Sequence, residues 1–389
     1  MRLAVIASHP IQYYAPLFRV LAQRLDLMVF FAHRASPPDQ AKAGFGVAFD
    51  WDIDLLSGYP HHFLTNVAKL PGLDHFAGCD TPEIGTLLKK GRFDAVLVQG
   101  WNLKSFLQAV IAAKRQGLPV LARGDSQLGT SRSALKRAAK ATAYPAFLGL
   151  FDAALYVGQR SRAYWTHYRY PPSRLFFSPH CIDADWFAVR ATGEARVALR
   201  TQLGIPPELS IALFAGKLLP FKRPLDLIAA AELLRTEGCH LGVLVAGAGP
   251  LEREMSSAAN AAGVALHQLG FCNQTAMPAA YAAADLLVLP SEGDETWGLV
   301  ANEALACGRP VVLSDAVGAS PDLVGDGTSG RLFPVGDTAA LAAAIRAVLD
   351  CPPERERISA KSAAYSLDAA ADGVIEAVSF VKRRRYRAA

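Results

Sequence analysis

The stretch Leu286 to Asp315, LLVLPSEGDETWGLVANEALACGRPVVLSD, limits the chain to one kind of architecture. Leu286 to Leu289 is an unbroken apolar run stopped by Pro290, the pattern of a strand covered on both faces, and Val311 to Ser314 resumes it. Between them, Leu299 to Cys307 has helical composition, and Gly308 with Pro310 supplies the stop signal. Two buried strands joined by a helix predict a parallel β-α-β crossover, whose binding crevice lies beyond the carboxyl ends of its strands. The loop Glu292 to Gly298 falls there. It carries Glu295, and Glu303 follows seven residues later, just inside the predicted helix. One helix start thus offers two carboxylates to ligand hydroxyls. The amides of Gly298, Leu299 and Val300 are expected to face the crevice with the positive end of the helix dipole, a seat for phosphate, and Gly298 lets a ligand approach the backbone. Two solvated acids at a helix start are the plainer alternative.

The order E-x7-E followed by A-x-A-x-G-x-P-V-V stands here as Glu295, Glu303, Ala304, Ala306, Gly308, Pro310, Val311 and Val312. It resembles the donor-sugar signature of the retaining GT-B glycosyltransferases grouped as family 4. The resemblance implies an α/β fold of the GT-B kind: two facing Rossmann-like β/α/β domains with parallel sheets, and a C-terminal helix crossing back to the first domain. It also implies that Glu295 binds hydroxyls of a donor hexose and Glu303 the ribose.

With 389 residues the chain is too long for one ordinary core. We expect a first domain over 1–188, a second over 189–364, and a helix with a basic tail over 365–389. A 51% hydrophobic and 19% charged composition excludes disorder, and a net charge of +5 is too mild for bulk nucleic-acid binding. The six cysteines lack C-x-x-C spacing, so neither a zinc site nor a disulfide framework is expected, and a reducing cytoplasm is the simplest compartment. Met1 leads directly into the apolar run of a strand, which is not the pattern of a secretory signal. Pro145, Gly149 and Asp152 interrupt the stretch Ala141 to Gly158, the nearest approach to a membrane span.

In chain order, Arg2 to Ala7 reads as a strand, and the loop after it supplies His9 and Gln12 as candidate substrate contacts, with helix capping as the alternative. GT-B proteins usually carry a glycine-rich turn at this place; here it has no glycine. The connection from Ala35 to Gly78 shows no helical periodicity, and Phe45 to Phe63, with Trp51 and Tyr59, is expected either to border an acceptor or to cover the core. The strand Pro119 to Ala122 ends in Arg123, Gly124 and Asp125. Relatives commonly place a histidine there, so Asp125 and Arg123 are first-domain site candidates, although a Gly-Asp turn also ends ordinary strands. Ser131 to Thr142 is expected to form a helix with Arg132, Lys136 and Lys140 on a basic face suited to weak contact with anionic lipid, or simply solvated. The same two readings apply to the basic end Lys382 to Arg387.

In the second half, the strand Ile211 to Ala215 runs into Gly216, Lys217 and, five residues on, Lys222, so both amines converge on one anion. The resemblance makes that anion the donor diphosphate, with Lys217 standing where an arginine is usual. Gly247 and Gly249 follow the strand Leu241 to Ala246. Taken alone, this G-x-G also suits a dinucleotide fold, but Glu252 stands where a third glycine would be. Phe271 lies where relatives hold the nucleobase.

Together these imply transfer of a sugar from a UDP- or GDP-linked donor to a glycan, lipid-linked or small-molecule acceptor, with Lys217, Lys222, Glu295 and Asp125 as the catalytic set. That arrangement of lysines and helix amides needs no divalent metal, so neither metal nor cofactor is expected. A catalytically silent nucleotide-sugar-binding protein and a nicotinamide-dependent oxidoreductase are the rival readings. The second lacks its glycine fingerprint.

Overall fold

The computed structural model describes residues 1–41, 46–130 and 133–388, apart from the side chains of Lys136, Tyr386, Arg387 and Ala388. Seven strands form the first sheet: β1 (Arg2–Ala7), β2 (Asp26–Phe31), β3 (His61–Phe63), β4 (Ala95–Val98), β5 (Val120–Gly124), β6 (Ala153–Tyr156) and β7 (Leu175–Phe177). Their order is 3-2-1-4-5-6-7, and every pair is parallel. Six strands form the second: β8 (Ser210–Ala215), β9 (Leu241–Ala246), β10 (Leu266–Gln268), β11 (Leu286–Leu289), β12 (Val311–Ser314) and β13 (Gly330–Phe333), in the parallel order 10-9-8-11-12-13.

The apolar runs become central strands because helices cover both faces of each sheet. In β8, β9, β11 and β12, Ile211 to Ala215, Leu241 to Ala246, Leu286 to Leu289 and Val311 to Ser314 are all buried. Strand order reverses between β1 and β4 and between β8 and β11, leaving a crevice beyond the carboxyl ends at each switch point. The two crevices face each other.

The last helix, Leu367–Ala388, returns to the first domain, where Ala370, Ala371, Val374, Ala377, Val378 and Val381 join the core under β1. The Ser178 hydroxyl donates to the Ala370 carbonyl at 2.9 Å and fixes the crossing.

Local differences from the sequence reading have identifiable causes. β3 sits within the long connection after β2, where a three-residue edge strand is too short to show alternation. The helix expected to end near Thr142 runs Ala134–Leu148 and includes Pro145. The helix expected over 365–389 is Leu367–Ala388, and a separate helix, Arg355–Ala364, precedes it.

Candidate active site

A cleft of about 490 Å³ lies between the domains, lined by Gln12, Tyr13 and Trp51 on the first-domain side. On the second-domain side are Gly216, Lys217, Lys222, Gly247, Phe271, Val300 and Glu303. The lysines come from the loop after β8, and Glu303 from the helix Leu299–Ala306 that follows β11, so the switch point contributes both.

Backbone constraints shape this wall. A Cβ on Gly247 would lie 1.8 Å from the Gly216 carbonyl oxygen, so only glycine lets the two loops close together. Gly298, the residue before the helix, has φ +93°, and a Cβ there would meet the Leu289 side chain at 2.6 Å. The first helical amides at Leu299 and Val300 have no carbonyl within their own helix to bind. Gly249 sits beside Leu218 in the same loop pair.

Lys222 forms an ion pair with Glu295, and both side chains are largely enclosed, at 15% and 14% exposure. Burial, reinforced by the charge of Lys217, pushes the Lys222 ammonium down to about 8; burial lowers Lys217 as well. The two acids of the motif are treated differently. Glu295 meets a cation, whereas Glu303 accepts hydrogen bonds from Tyr281 at 2.6 Å and Tyr13 at 3.0 Å. Burial pushes the Glu303 carboxyl up to about 7, with the tyrosine hydroxyls opposing the rise.

The first-domain candidates separate. Gln12 lines the cleft. His9 instead bonds Ser8 at 3.0 Å, and burial followed by the nearby His33 lowers its pKa to about 4, which keeps the ring neutral. Arg123, expected to meet substrate, is 2% exposed and turns away: its guanidinium donates to the Ser178 and Pro179 carbonyls at 3.2 and 2.7 Å, anchoring the crossover into the second domain. The strand pleat explains this, since Arg123 points off the sheet face whereas Asp125 has left the sheet.

Asp125 accepts from the Thr296 hydroxyl at 2.7 Å and lies 3.8 Å from the His180 ring. Burial would raise this carboxyl, but His180 and Thr296 outweigh it and hold it well below the usual range. Asp125 therefore touches the loop bearing Glu295.

Tyr59 packs on Phe18 in the core, whereas Trp51 reaches the cleft. Phe49 packs against Phe271 with the rings tilted by 39° and their centres 4.3 Å apart, and Trp51 meets Phe49 edge-on at 5.0 Å. Asn273 donates to the Asp50 carbonyl and the Thr275 amide to the Asp52 carboxylate, fastening this first-domain loop over the second. Gln127 adds bonds to the Gly293 and Glu295 carbonyls at 2.7 and 3.2 Å. Tyr13, Tyr281, Gln127 and this clasp were missed in the sequence. The Tyr-Tyr pair in the glycine-free first loop was the one available signal.

Lys140 packs against Tyr144 and Tyr164. Phe45, Ser131 and Arg132 lie outside the described residues, as do the side chains of Lys136 and Arg387, so the basic faces are only partly described. Among the described residues no group of His, Cys, Asp and Glu suits a metal ion, and no helix is long and apolar enough to cross a membrane.

Residues 196–364 match the glycosyl transferases group 1 family. The second domain belongs to that family. Relatives named D-inositol 3-phosphate glycosyltransferase include one from Geodermatophilus obscurus, 38% identical over 226 residues, covering 54% of this chain and 48% of the relative. Another, from Xylanimonas cellulosilytica, is 34% identical over 222 residues and covers 54% and 52%. The chain thus matches about half the length of these relatives. Among solved structures, Anabaena HepE in complex with UDP aligns over 97% of this chain and 100% of its own, with 18% identity and TM-score 0.72. Sucrose-phosphate synthase from Thermosynechococcus elongatus aligns over 100% of both, with 18% identity and TM-score 0.70. These likenesses show the two-domain GT-B fold.

Proposed function

We propose that the chain is a retaining glycosyltransferase that moves a sugar from a nucleoside diphosphate donor to an acceptor hydroxyl without a divalent metal. The observation that carries this reading is the placement of Lys217 and Lys222 in one cleft with Glu303, Phe271 and Trp51. Lysines meet a diphosphate, Glu303 a ribose, and the aromatic end a nucleobase; Anabaena HepE, of the same fold, has been solved with UDP and with UDP-glucose.

Negative charge accumulates on the diphosphate as the glycosidic bond breaks. The lysine charges and the amides at Leu299 and Val300 stabilise that charge in a site already ordered around it. The Lys222 to Glu295 pair is the resting arrangement. Donor binding exchanges it, with the diphosphate taking Lys222 and a sugar hydroxyl taking Glu295. Asp125, tied to the Glu295 loop through Thr296, borders the acceptor side. The acceptor attacks from the face of the departing diphosphate, so no covalent nucleophile is assigned.

The names of the relatives make inositol phosphate one acceptor to test, beside glycan and lipid-linked acceptors of cell-surface polymers. The described cysteines are all unpaired with one another, which fits a reducing cytoplasm, with any membrane contact made from its inner face.

The purified protein with UDP-glucose, UDP-galactose or GDP-mannose and EDTA should release nucleoside diphosphate, faster with an acceptor. Tight binding of donors with no release for any acceptor class would instead identify a silent binding protein. Binding of neither donors nor nucleoside diphosphates would remove the reading altogether.

A further inference from the structure

Glu303 is 2% exposed yet borders the cleft. Its two oxygens are held from opposite sides: Tyr281 in the helix Met277–Ala283 donates to Oε2, and Tyr13 after β1 donates to Oε1. The second bond crosses between domains. An ionised carboxylate offers about four acceptor positions, so two remain for a ligand diol.

We propose that Tyr13 is a positioning residue for nucleotide recognition, whose hydroxyl keeps Glu303 ionised and aimed at the ribose diol, so that ribose is read when the two domains are together. This rests on the nucleotide-sugar reading above. Tyr13 stands in the glycine-free first loop, where a side chain replaces close backbone approach. The physical need for it follows from burial, which favours the neutral acid. A protonated Glu303 would keep a donor but lose acceptor capacity toward a diol.

The titratable groups around Glu303 are Tyr13, Tyr281 and Cys307, with Lys217 and Lys222 in the same cleft. Burial pushes the Cys307 thiol up and Tyr13 and Tyr281 well above their ordinary values, so all three stay neutral near neutrality. The Glu303 carboxyl, at about 7, is the group poised to change. Without the Tyr13 hydroxyl its midpoint rises, and ribose recognition moves to higher pH.

The test measures binding of UDP against 2′-deoxy-UDP, and of GDP against 2′-deoxy-GDP, to the full chain and to Tyr13→Phe. The ratio within each pair cancels the phosphate and Lys222 contributions. The wild-type ratio is expected to be about tenfold for the pair that binds. In Tyr13→Phe it should collapse to about twofold at about pH 7 and recover at about pH 9, where a raised Glu303 is again ionised. A merely structural role would lower the ratio equally at both pH values, and that result overturns the inference, as does a variant ratio equal to wild type throughout. Wild-type protein that binds no nucleotide overturns the nucleotide-sugar reading itself. Wild-type discrimination with an unaffected variant leaves that reading standing and removes the role of Tyr13 alone.

Discussion

On the second-domain side of the cleft, Gly247 leaves no room for a methyl group against Gly216, and Gly298 turns the chain into a helix at a φ that other residues rarely adopt. On the first-domain side, Gln12, Tyr13 and Trp51 meet the same space with side chains. One wall carries its side chains on loops held by backbone geometry; the other is assembled from side chains alone. The glycine positions of the second-domain wall tolerate almost no change, because an added Cβ there moves a loop. A side-chain wall is adjustable. Donor chemistry would then be fixed by the second domain, with the first domain tuning when and what it accepts.

Gly247→Ala is the most severe test of this contrast. The added Cβ must displace the Gly216 loop, and overpacking of that kind destabilises by about 1 to 3 kcal/mol or more. We expect a lowered Tm and loss of nucleotide binding in calorimetry. Ordinary affinity with an unchanged Tm would show that the wall has slack and would break the contrast.

Lys222→Ala comes next. Charge-assisted hydrogen bonds contribute about 1.5 to 3 kcal/mol, so turnover should fall roughly ten- to a hundredfold, more than donor affinity does. Lys217→Arg should remain active, since charge is kept. The pH dependence has a definite sign: the Lys222 charge is full below about 8 and is lost as pH rises through that value. Affinity for inorganic pyrophosphate, which reports the charge without ribose or base, should therefore weaken above about pH 8 in wild type. A flat profile would place the diphosphate away from Lys222.

Trp51→Ala should act more mildly and on a different ligand part. It borders the cleft beside Phe271 and packs on Phe49, and aromatic pairs contribute about 0.5 to 1.5 kcal/mol beyond area burial. Affinity for UDP or GDP should weaken by roughly two- to tenfold, whereas that for pyrophosphate should not change. Equal loss for both ligands would mean that Trp51 supports the cleft as a whole.

The same contrast explains what was legible in the sequence. Leu286 to Leu289, Glu295, Glu303 and Gly298 form a local unit whose spacing carries strand, corner and helix in thirty consecutive residues. The lysines after β8 were legible for the same reason. Tyr13 meets Glu303 across 290 positions, and Asp52 meets Thr275 across 223; no local periodicity reports such pairings. Arg123 was a candidate because relatives commonly place a histidine at this strand end, but its side chain enters the Ser178 to Pro179 crossover. The clasp was hidden in a connection whose composition shows only that it is irregular.

The smallest effect should come from Asp52→Ala. Its carboxylate accepts from the Thr275 amide, 3.2 Å from each oxygen, and from the Thr275 hydroxyl, and the contact is solvent-exposed, where charged contacts contribute about 0 to 1 kcal/mol. The neighbouring Asn273 to Asp50 bond and the Phe49 to Phe271 ring contact hold the same loop without it. KM for donor should therefore rise less than about fivefold with kcat nearly constant. A large change in kcat would have a different meaning. Nothing in the reaction proposed for the cleft uses Asp52, so turnover limited at this position would make loop opening and product release the slow step. The first-domain wall would then govern rate as well as selectivity, and the division of labour between a rigid donor wall and an adjustable partner would fail at its outermost contact.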